Sequence, residues 1–168
     1  MSYRNLLLNF PREGRLEWMG VRPGRREPVR IADALILNTT QGIVGDHYAG
    51  ITERKRQVTL VQSEHLAVVS SLLGFPVEPA MLRRNLVVSG INLLALKGQW
   101  IRIGESAIVA ITGACHPCTR MEDRLGAGGL NAMRGHGGMT ATVVQGGMIR
   151  LGDTIRRIDR PGETLELF

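Results

Sequence analysis

The sequence predicts a mainly β protein, in which a mixed or antiparallel β-barrel carries two or three short peripheral helices. Glycine supplies 21 of the 168 residues, nearly double the usual share of about 7%. Nine of these glycines lie between residues 126 and 152, where β-branched runs alternate with turn signals. Aromatic residues make up only 4% of the chain, so the core must be aliphatic. A barrel is expected because closure removes the exposed edges of a sheet.

The chain length suits one domain with a single core. We therefore expect one domain over 1–168, with an arm at 1–13, a core at about 14–158 and a tail at 159–168. Apolar runs fall short of the roughly 20 residues that a membrane span needs. The first 15 residues also lack the apolar segment of a signal peptide, so we expect a cytoplasmic protein that does not enter a membrane.

Alternating apolar residues and turn signals predict the strands. The expected strands are Leu16–Val21, Val29–Leu37, Arg56–Val61, Asn85–Val88, Trp100–Ile103, Ala107–Thr112, Met139–Gln145, Met148–Leu151 and Thr154–Ile158. Gly104-Glu105 is predicted to be a hairpin turn, and Gly146-Gly147 a second two-residue turn. Residues 101–106 and 149–154 share the order strand, glycine, acid, strand, which predicts the same hairpin twice.

One helix is predicted directly after the third strand. Ser63 is expected to be its N-cap, and Leu66, Val69 and Leu73 recur at helical spacing. Gly74 then ends the helix, because glycine readily adopts the left-handed conformation at that position. This helix connects two of the predicted strands.

The formal net charge of +6 raises the question of nucleic-acid binding. The basic residues are spread along the chain, only Lys55 and Lys97 are lysines, and no aromatic residues are interleaved for base stacking. We therefore expect no nucleic-acid partner. Two interpretations of the arginines stay open: a solvated surface that reflects codon usage, or a subset that binds an anionic, phosphate-bearing ligand through bidentate contacts.

The segment Cys115-His116-Pro117-Cys118 places two thiols and an imidazole within four residues, and it is the strongest functional signal in the chain. Thr119 and Glu122 follow it at capping-box spacing, so Cys118 is expected one residue before a helix. Helix N–H groups and the positive end of the helix dipole would then face its sulfur. Arg120 and Arg124 add positive charge nearby, and all of these effects favour a thiolate.

Four interpretations of the two cysteines stay open. They are an inert pair, a zinc site, a thioredoxin-like dithiol, or a single reactive thiolate that binds a soft metal or carries sulfur. A zinc site lacks ligands, because one C-x-x-C supplies two and only His116 or His136 could add a third. A dithiol of the thioredoxin kind is expected in a βαβ setting rather than a β-rich one. The single thiolate, at Cys118, is the preferred interpretation.

Three further segments are candidate binding elements. Arg83, Arg84 and Asn85 stand at the mouth of a predicted strand, where they could hold a phosphate and a polar ring or form a solvated strand end. Asp46 and His47 could orient a ligand, although a loop rich in glycine and aspartate needs no function. The run 135–138 is rich in glycine, so it could let the backbone approach a ligand closely or could simply be a loop.

The order of these elements resembles the MOSC family, the domain named after the C-terminal part of molybdenum-cofactor sulfurases. The matching segments are, in order, Gly45-Asp46-His47, Arg56–Leu60, Arg83–Gly90, Leu93-x-x-Leu96, Ile103-Gly104, Cys115-x-Pro117-Cys118, Arg134–Gly138 and Gly146–Asp153. The resemblance covers about 14–158, and it implies a β-barrel that binds the molybdenum cofactor, a phosphate-bearing pterin dithiolene.

The resemblance also implies roles for particular residues. Cys118 is expected to ligate molybdenum or to carry sulfur as a persulfide, and Arg83 and Asn85 to hold the phosphate and the pterin. His116 is expected to lie at the cofactor through its backbone. The cofactor-binding residues that we expect are Arg83, Asn85, His116, Arg56, Asp46, His47, Gly137 and Gly138.

The chain also departs from larger relatives. These fuse the domain to a pyridoxal-phosphate-dependent desulfurase or carry an iron–sulfur tail, so we expect no pyridoxal phosphate on this chain and a separate donor protein. Arg84 stands where many relatives have an acidic residue.

Three functions stay open at this stage. The first is reduction of a small N-hydroxylated substrate, with electrons from a separate protein. The second is a sulfur carrier that passes persulfide sulfur from Cys118 to the cofactor or another acceptor. The third is a non-catalytic binding module. The oligomeric state also stays open, with a homodimer as one alternative.

Overall fold

Seven strands close into a mixed β-barrel in the computed structural model, which describes residues 1–47 and 54–162. The strands are β1 (Gly14–Val21), β2 (Arg30–Ile31), β3 (Ala34–Asn38), β4 (Gly42–Ile43), β5 (Val58–Gln62), β6 (Leu86–Ser89), β7 (Trp100–Ile103), β8 (Ala107–Ala114), β9 (Met139–Gln145), β10 (Gly147–Arg150) and β11 (Thr154–Ile158). The helices are α1 (Tyr3–Leu7), α2 (Ser63–Leu73), α3 (Thr119–Leu125) and α4 (Gly129–Met133), with 3₁₀ turns at Pro79–Leu82 and Leu94–Leu96. The predicted mainly β class is confirmed.

The barrel runs in the order β1, β6, β5, β9, β8, β7 and β11, and β11 pairs again with β1. Only β5 and β6 are parallel among these pairs, because α2 carries the chain back between them, as a parallel crossover requires. A smaller sheet of β10, β3 and β4 lies beside the barrel. Closure leaves no free edge in the barrel, which is the expected physical benefit of this architecture.

The barrel interior is filled by aliphatic side chains, as predicted from the scarcity of aromatics. Leu16, Leu60, Ile101 and Ile103 are among those with no exposed surface. A second apolar cluster packs α2, α3 and the Pro79–Leu82 turn onto the outside of the barrel. Its buried members are Val61, Val69, Val77, Leu82, Val87, Met121, Leu125, Ala132 and Met133. This second cluster fixes α3, the helix that follows the cysteine segment, against the barrel wall.

The predicted strand Val29–Leu37 is wrong as a single element. It divides into β2, which pairs with β1, and β3, which pairs with β10 and β4. The Ala32 amide still donates to the Met19 carbonyl, whereas the next residue, Asp33, accepts from Leu151. The chain changes partner at that point, so one alternating run serves two sheets.

The hairpin predicted at Gly146-Gly147 is also wrong. Strand β9 pairs with β8 and β5, whereas β10 leaves the barrel and pairs with β3. A Cβ on Gly147 would lie 2.3 Å from the Ser106 Oγ, and one on Gly146 would lie 2.7 Å from the Leu37 carbonyl oxygen. These glycines therefore permit close packing between the two sheets rather than a tight turn. The hairpin predicted for residues 149–154 is wrong as well, because β10 and β11 do not pair with each other. The similar hairpin predicted for residues 101–106 is confirmed, since β7 pairs with β8.

Two helix details differ from the prediction. Gln62 occupies the N-cap of α2 and Ser63 is its first residue, so the helix begins one position earlier than expected. The predicted end is confirmed, since Gly74 is left-handed and its amide donates to the Ser70 carbonyl. The predicted arm contains the short helix α1. Within residues 1–47 and 54–162, the helices are too short or too polar to cross a membrane.

Candidate functional site

A basic pocket of about 210 Å³, here called the Cys118 pocket, opens beside α3. Its walls come from the end of β1, the start of β5, the segment before β6 and the loop from β8 into α3. The lining residues are Arg22, Arg56, Thr59, Leu82, Arg83, Arg84, Cys115, His116, Cys118, Arg120, Met121 and Arg124. Six of these residues are arginines, and the lining contains no carboxylate among the residues that the structure describes. An anionic ligand is the natural complement of such a surface.

The two cysteines of the pocket differ in accessibility. Cys118 is exposed, whereas only 3% of Cys115 is exposed. Cys115 is tied into the protein, because its amide donates to the Gly138 carbonyl at 2.8 Å and its Sγ lies 3.7 Å from Arg56 Nη2. A ligand entering the pocket therefore meets the Cys118 thiol.

The predicted capping box after the cysteines is wrong. Helix α3 begins at Thr119, and the N-cap position belongs to Cys118 itself, with an extended backbone and no side-chain cap. Glu122 turns the other way and accepts from the amides of Leu130 and Gly128, at 2.8 Å each. Those two hydrogen bonds lower the pKa of Glu122. The Glu122 carboxylate therefore joins α3 to α4 and does not cap the start of α3.

Arg84 lines the pocket beside Arg83, although the list of expected cofactor-binding residues leaves it out. It is 8% exposed, its Nε donates to the Gly137 carbonyl at 2.8 Å, and its Nη1 donates to the Leu82 carbonyl at 3.0 Å. Burial lowers the pKa of Arg84, the neighbouring Cys115 raises it, and repulsion from Arg22 lowers it further. The residue is a fixed cation at the base of the pocket, held in place before any ligand arrives.

Arg83 forms the wall of the pocket nearest the Arg25-Arg26 turn. Its backbone is left-handed, with φ of 55°, which is uncommon for a residue other than glycine. Its guanidinium donates to the carbonyls of Glu27 and Gly24. Burial lowers the pKa of Arg83, and repulsion from Arg124 and Arg22 adds to that effect. The arginines are therefore close enough to repel one another.

Asp46 and Asn85, both predicted to bind cofactor, lie beneath the pocket and do not line it. The Asp46 side chain has no exposed surface, and it accepts from the Arg22 Nη2, Nε and backbone amide at 2.7, 3.1 and 2.7 Å. Asn85 Nδ2 donates to Asp46 at 3.2 Å and to the Gly20 carbonyl, while its Oδ1 accepts from the Thr59 amide and hydroxyl. In this structure both residues position Arg22; direct contact with a cofactor stays a prediction.

Gly137 and Gly138 permit the protein to pack against itself behind the cysteine segment. A Cβ on Gly137 would lie 2.1 Å from the Cys115 carbonyl oxygen, and one on Gly138 would lie 1.9 Å from the Leu60 carbonyl oxygen. Gly138 is also left-handed, with φ of 86°. The close approach expected here is thus made to Cys115 and β5, and neither glycine lines the Cys118 pocket.

Replacing Gly138 by alanine is expected to destabilise the fold by about 3 kcal/mol or more, because backbone strain adds to overlap with a neighbouring carbonyl. Gly135→Ala is a matched control in the same loop: Gly135 is also left-handed, but nothing lies within 4 Å of its Cβ position. The control should lose only about 1–2 kcal/mol from strain. Urea unfolding of both variants measures the difference, and equal losses would contradict the packing argument.

A second basic cavity of about 480 Å³, here called the outer cavity, shares Arg22, Arg83, Arg120 and Arg124 with the Cys118 pocket. Its remaining lining residues are Arg25, Arg26, His47 and Asp123. The structure thus brings the predicted residues Cys118, His116, Arg56 and Arg83 together in one pocket and places His47 in the neighbouring one. Tyr48, which belongs to the loop with Asp46, lies outside the described residues.

The alternative of a zinc site finds no ligand set in the part of the chain that the structure describes, where no three His, Cys, Asp or Glu residues are grouped for a metal ion. His136, the candidate third ligand, instead bonds through Nδ1 to the Ala132 carbonyl at 3.0 Å. Its ring also meets His65 edge to face, with centroids 5.0 Å apart. His136 therefore belongs to the packing between α2 and α4.

A family model of the MOSC domain matches residues 41–156 of this chain. The chain belongs to the MOSC family. The matched region includes both cysteines, Arg83, Asn85 and the glycine loop, and the family is known from the C-terminal part of molybdenum-cofactor sulfurases. No curated protein matches the chain significantly.

Solved structures share the MOSC fold at low sequence identity. The YUAD protein from Bacillus subtilis is similar with a TM-score of 0.74 and 21% identity, over 88% of this chain and 97% of that one. YiiM from Geobacillus stearothermophilus gives a TM-score of 0.71 and 16% identity, over 89% and 77%. YiiM from Escherichia coli gives 0.66 and 19%, over 87% and 70%. At these identities the likeness shows that the fold is shared.

Proposed function

We propose that this MOSC protein binds the molybdenum cofactor, with Cys118 as a ligand of molybdenum. The observation that supports this function is an exposed thiol in a pocket lined by six arginines and, within the described residues, by no carboxylate. The cofactor carries both a phosphate and a soft metal centre, so it matches the two chemical features of the pocket. Membership of the MOSC family favours this ligand over other phosphorylated compounds.

The arginines of the pocket fit a phosphate. A guanidinium binds a phosphate through two parallel hydrogen bonds, and such charge-assisted pairs are stronger than neutral ones. Burial lowers the pKa of Arg83, and repulsion from Arg124 and Arg22 lowers it further; a bound dianion would relieve that repulsion. Arg83 and Arg84 are held by backbone carbonyls, so little conformational freedom is lost when the anion binds.

Cys118 fits a soft metal. Thiolate sulfur is the side-chain ligand that soft metal centres prefer, and the Cys118 thiol is exposed to the pocket. Arg120 follows two residues later and lines the same pocket. When bound, the cofactor supplies a two-electron redox centre at molybdenum. The protein's own contribution is to hold that centre by sulfur and to hold the phosphate by guanidinium groups.

Within this function we propose reduction of a small N-hydroxylated compound. The net reaction converts N–OH to N–H and releases water, with two electrons from a separate donor protein and two protons from solvent. His116 is exposed in the lining of the pocket, where an imidazole can pass a proton to a bound substrate. Arg84 is buried, and its hydrogen bonds to the carbonyls of Gly137 and Leu82 hold it in place.

A sulfur carrier is the second candidate, because the exposed Cys118 thiol is accessible to another protein. The Cys118 thiolate would attack the outer sulfur of a donor persulfide, and the donor cysteine would leave as a thiolate. Cys118 would then hold the transferred sulfur until an acceptor removes it. Both candidate functions therefore use the same residue, Cys118.

One purification separates the candidates. The protein is expressed in a host that makes molybdenum cofactor, and molybdenum, pterin and cyanide-labile sulfur are measured in the purified chain. Molybdenum and pterin in equal amounts, near one of each per chain, are expected. Cofactor-free protein with labile sulfur on Cys118 would instead favour the carrier, and the absence of all three would leave a non-catalytic module.

A further inference from the structure

We propose that the outer cavity binds a second oxyanion of the phosphate class, separate from the one held in the Cys118 pocket. The anion would be either a further charged group of the cofactor or a charged group of the substrate. The inference rests on the proposed function only for the source of that anion. The site itself follows from the charge, shape and anchoring of the residues around the cavity.

The charge of the outer cavity is strongly unbalanced. Among the residues that the structure describes, six arginines and His47 line it, against one carboxylate, Asp123. The Asp46 carboxylate, which pairs with Arg22, already accepts hydrogen bonds from Arg22 and Asn85. Arg120 and Arg124 are four residues apart on α3 and share one face of the helix, where like charges repel each other. A multiply charged oxyanion would compensate these cations.

The rim of the outer cavity is anchored before any ligand binds. Arg26 is left-handed, with φ of 68°, and so is Arg83. Residues other than glycine adopt this strained conformation mainly where surrounding structure enforces it, often at ligand clamps. Here the guanidinium of Arg83 constrains the turn that contains Arg26, because it donates to the carbonyls of Gly24 and Glu27 on either side of that turn. The His47 amide donates to the Arg22 carbonyl at 2.8 Å and fixes the opposite rim.

Shape and lining favour a small oxyanion over larger partners. The cavity is concave and its volume of about 480 Å³ lies within the range of small-molecule sites. Nucleobases bind mainly by stacking on aromatic rings, and the described lining offers no ring other than the imidazole of His47. A protein partner would need a much larger contact area than one cavity. Guanidinium groups arranged around a hollow match phosphate or diphosphate.

The test uses pyrophosphate as the probe and protein made in a host that cannot make the cofactor. Arg25→Gln/Arg26→Gln removes two cations found only in the outer cavity, and calorimetry should show the Kd for pyrophosphate rising about tenfold or more. Arg4→Gln/Arg150→Gln removes the same charge from exposed sites outside both pockets. This control should stay within about twofold of the wild type.

Three outcomes overturn the inference. They are an absence of pyrophosphate binding, an equal loss in the control, and a loss caused by Arg56→Gln while Arg25→Gln/Arg26→Gln binds normally. Arg56 lines only the Cys118 pocket, so the last result would assign the anion to that pocket. Wild-type protein that lacks molybdenum and pterin refutes the proposed function but does not change the pyrophosphate result.

A second measurement identifies the source of the anion. The Arg25→Gln/Arg26→Gln variant is produced in a host that makes the cofactor, and its molybdenum and pterin are quantified. If the cofactor brings the second anionic group, both should fall together relative to the wild type. If the substrate brings it, both should stay at the wild-type level while the KM for a phosphorylated N-hydroxylated substrate rises. Either result supports the outer cavity as an oxyanion site.

Discussion

Replacing Cys118 by serine is expected to remove molybdenum from the purified protein. A hydroxyl is a hard ligand and does not replace a thiolate on a soft metal. Loss of a residue that merely supports a metal ligand lowers affinity about 10- to 100-fold, so loss of the ligand itself should cost at least that much. Molybdenum is measured by mass spectrometry and pterin by fluorescence after oxidation. Pterin should fall less than metal, because Arg83 and Arg84 still hold the phosphate.

Cys115→Ser is the matched control for this result. Cys115 is buried, lies 3.7 Å from Arg56 Nη2 and is held by the Gly138 carbonyl, so the substitution leaves the accessible thiol in place. The variant should keep most of its molybdenum. If Cys115→Ser removes the metal as completely as Cys118→Ser, the assignment of a single thiolate ligand is wrong.

Replacing Asp46 by alanine is expected to destabilise the fold by about 3 kcal/mol. Breaking a buried ion pair usually costs about 3–5 kcal/mol, and the lower end applies because 21% of the Arg22 side chain stays exposed to water. The substitution removes the acceptor of three Arg22 hydrogen bonds and one from Asn85. Urea unfolding measures the change. Pyrophosphate affinity should also fall, because Arg22 is then free to leave both pockets.

Two companion variants test that explanation. Asp33→Ala removes an exposed carboxylate elsewhere on the surface and should change stability by no more than about 0.5 kcal/mol. Asp46→Asn keeps the size of the side chain and part of its accepting capacity, so its loss should be intermediate. A destabilisation by Asp46→Ala that is no larger than that of Asp33→Ala would show that the Asp46 network does not support the site.

Much of the barrel could be predicted from local patterns. Strands β7, β9 and β11 begin and end at the predicted residues, because alternation and flanking glycines are properties of short segments. The pairing of β10 could not be predicted in the same way. The glycines before it suit a hairpin as well as they suit close packing, and only the contacts of Gly146 with Leu37 and of Gly147 with Ser106 distinguish the two.

Local sequence patterns likewise indicated some residues of the candidate site and gave no signal for others. The spacing of Cys115 and Cys118 was sufficient to single out the thiols, and the position of Cys118 directly before α3 agrees with that spacing. Arg22 carries no local signal, since it simply follows β1. Its importance comes from Asp46, which is 24 residues away, and from Asn85, which is 39 residues from Asp46.

The sequence by itself determined the mainly β class, the aliphatic core and the order of motifs that identifies the MOSC family. Only the tertiary structure decided that Cys118 is the accessible thiol, that Arg84 is a buried cation of the pocket, and that Asp46 positions Arg22. The physical reason is that alternation and turn propensity act between neighbours in the chain. Burial, charge clustering and hydrogen-bond networks depend on residues that come together only when the barrel closes.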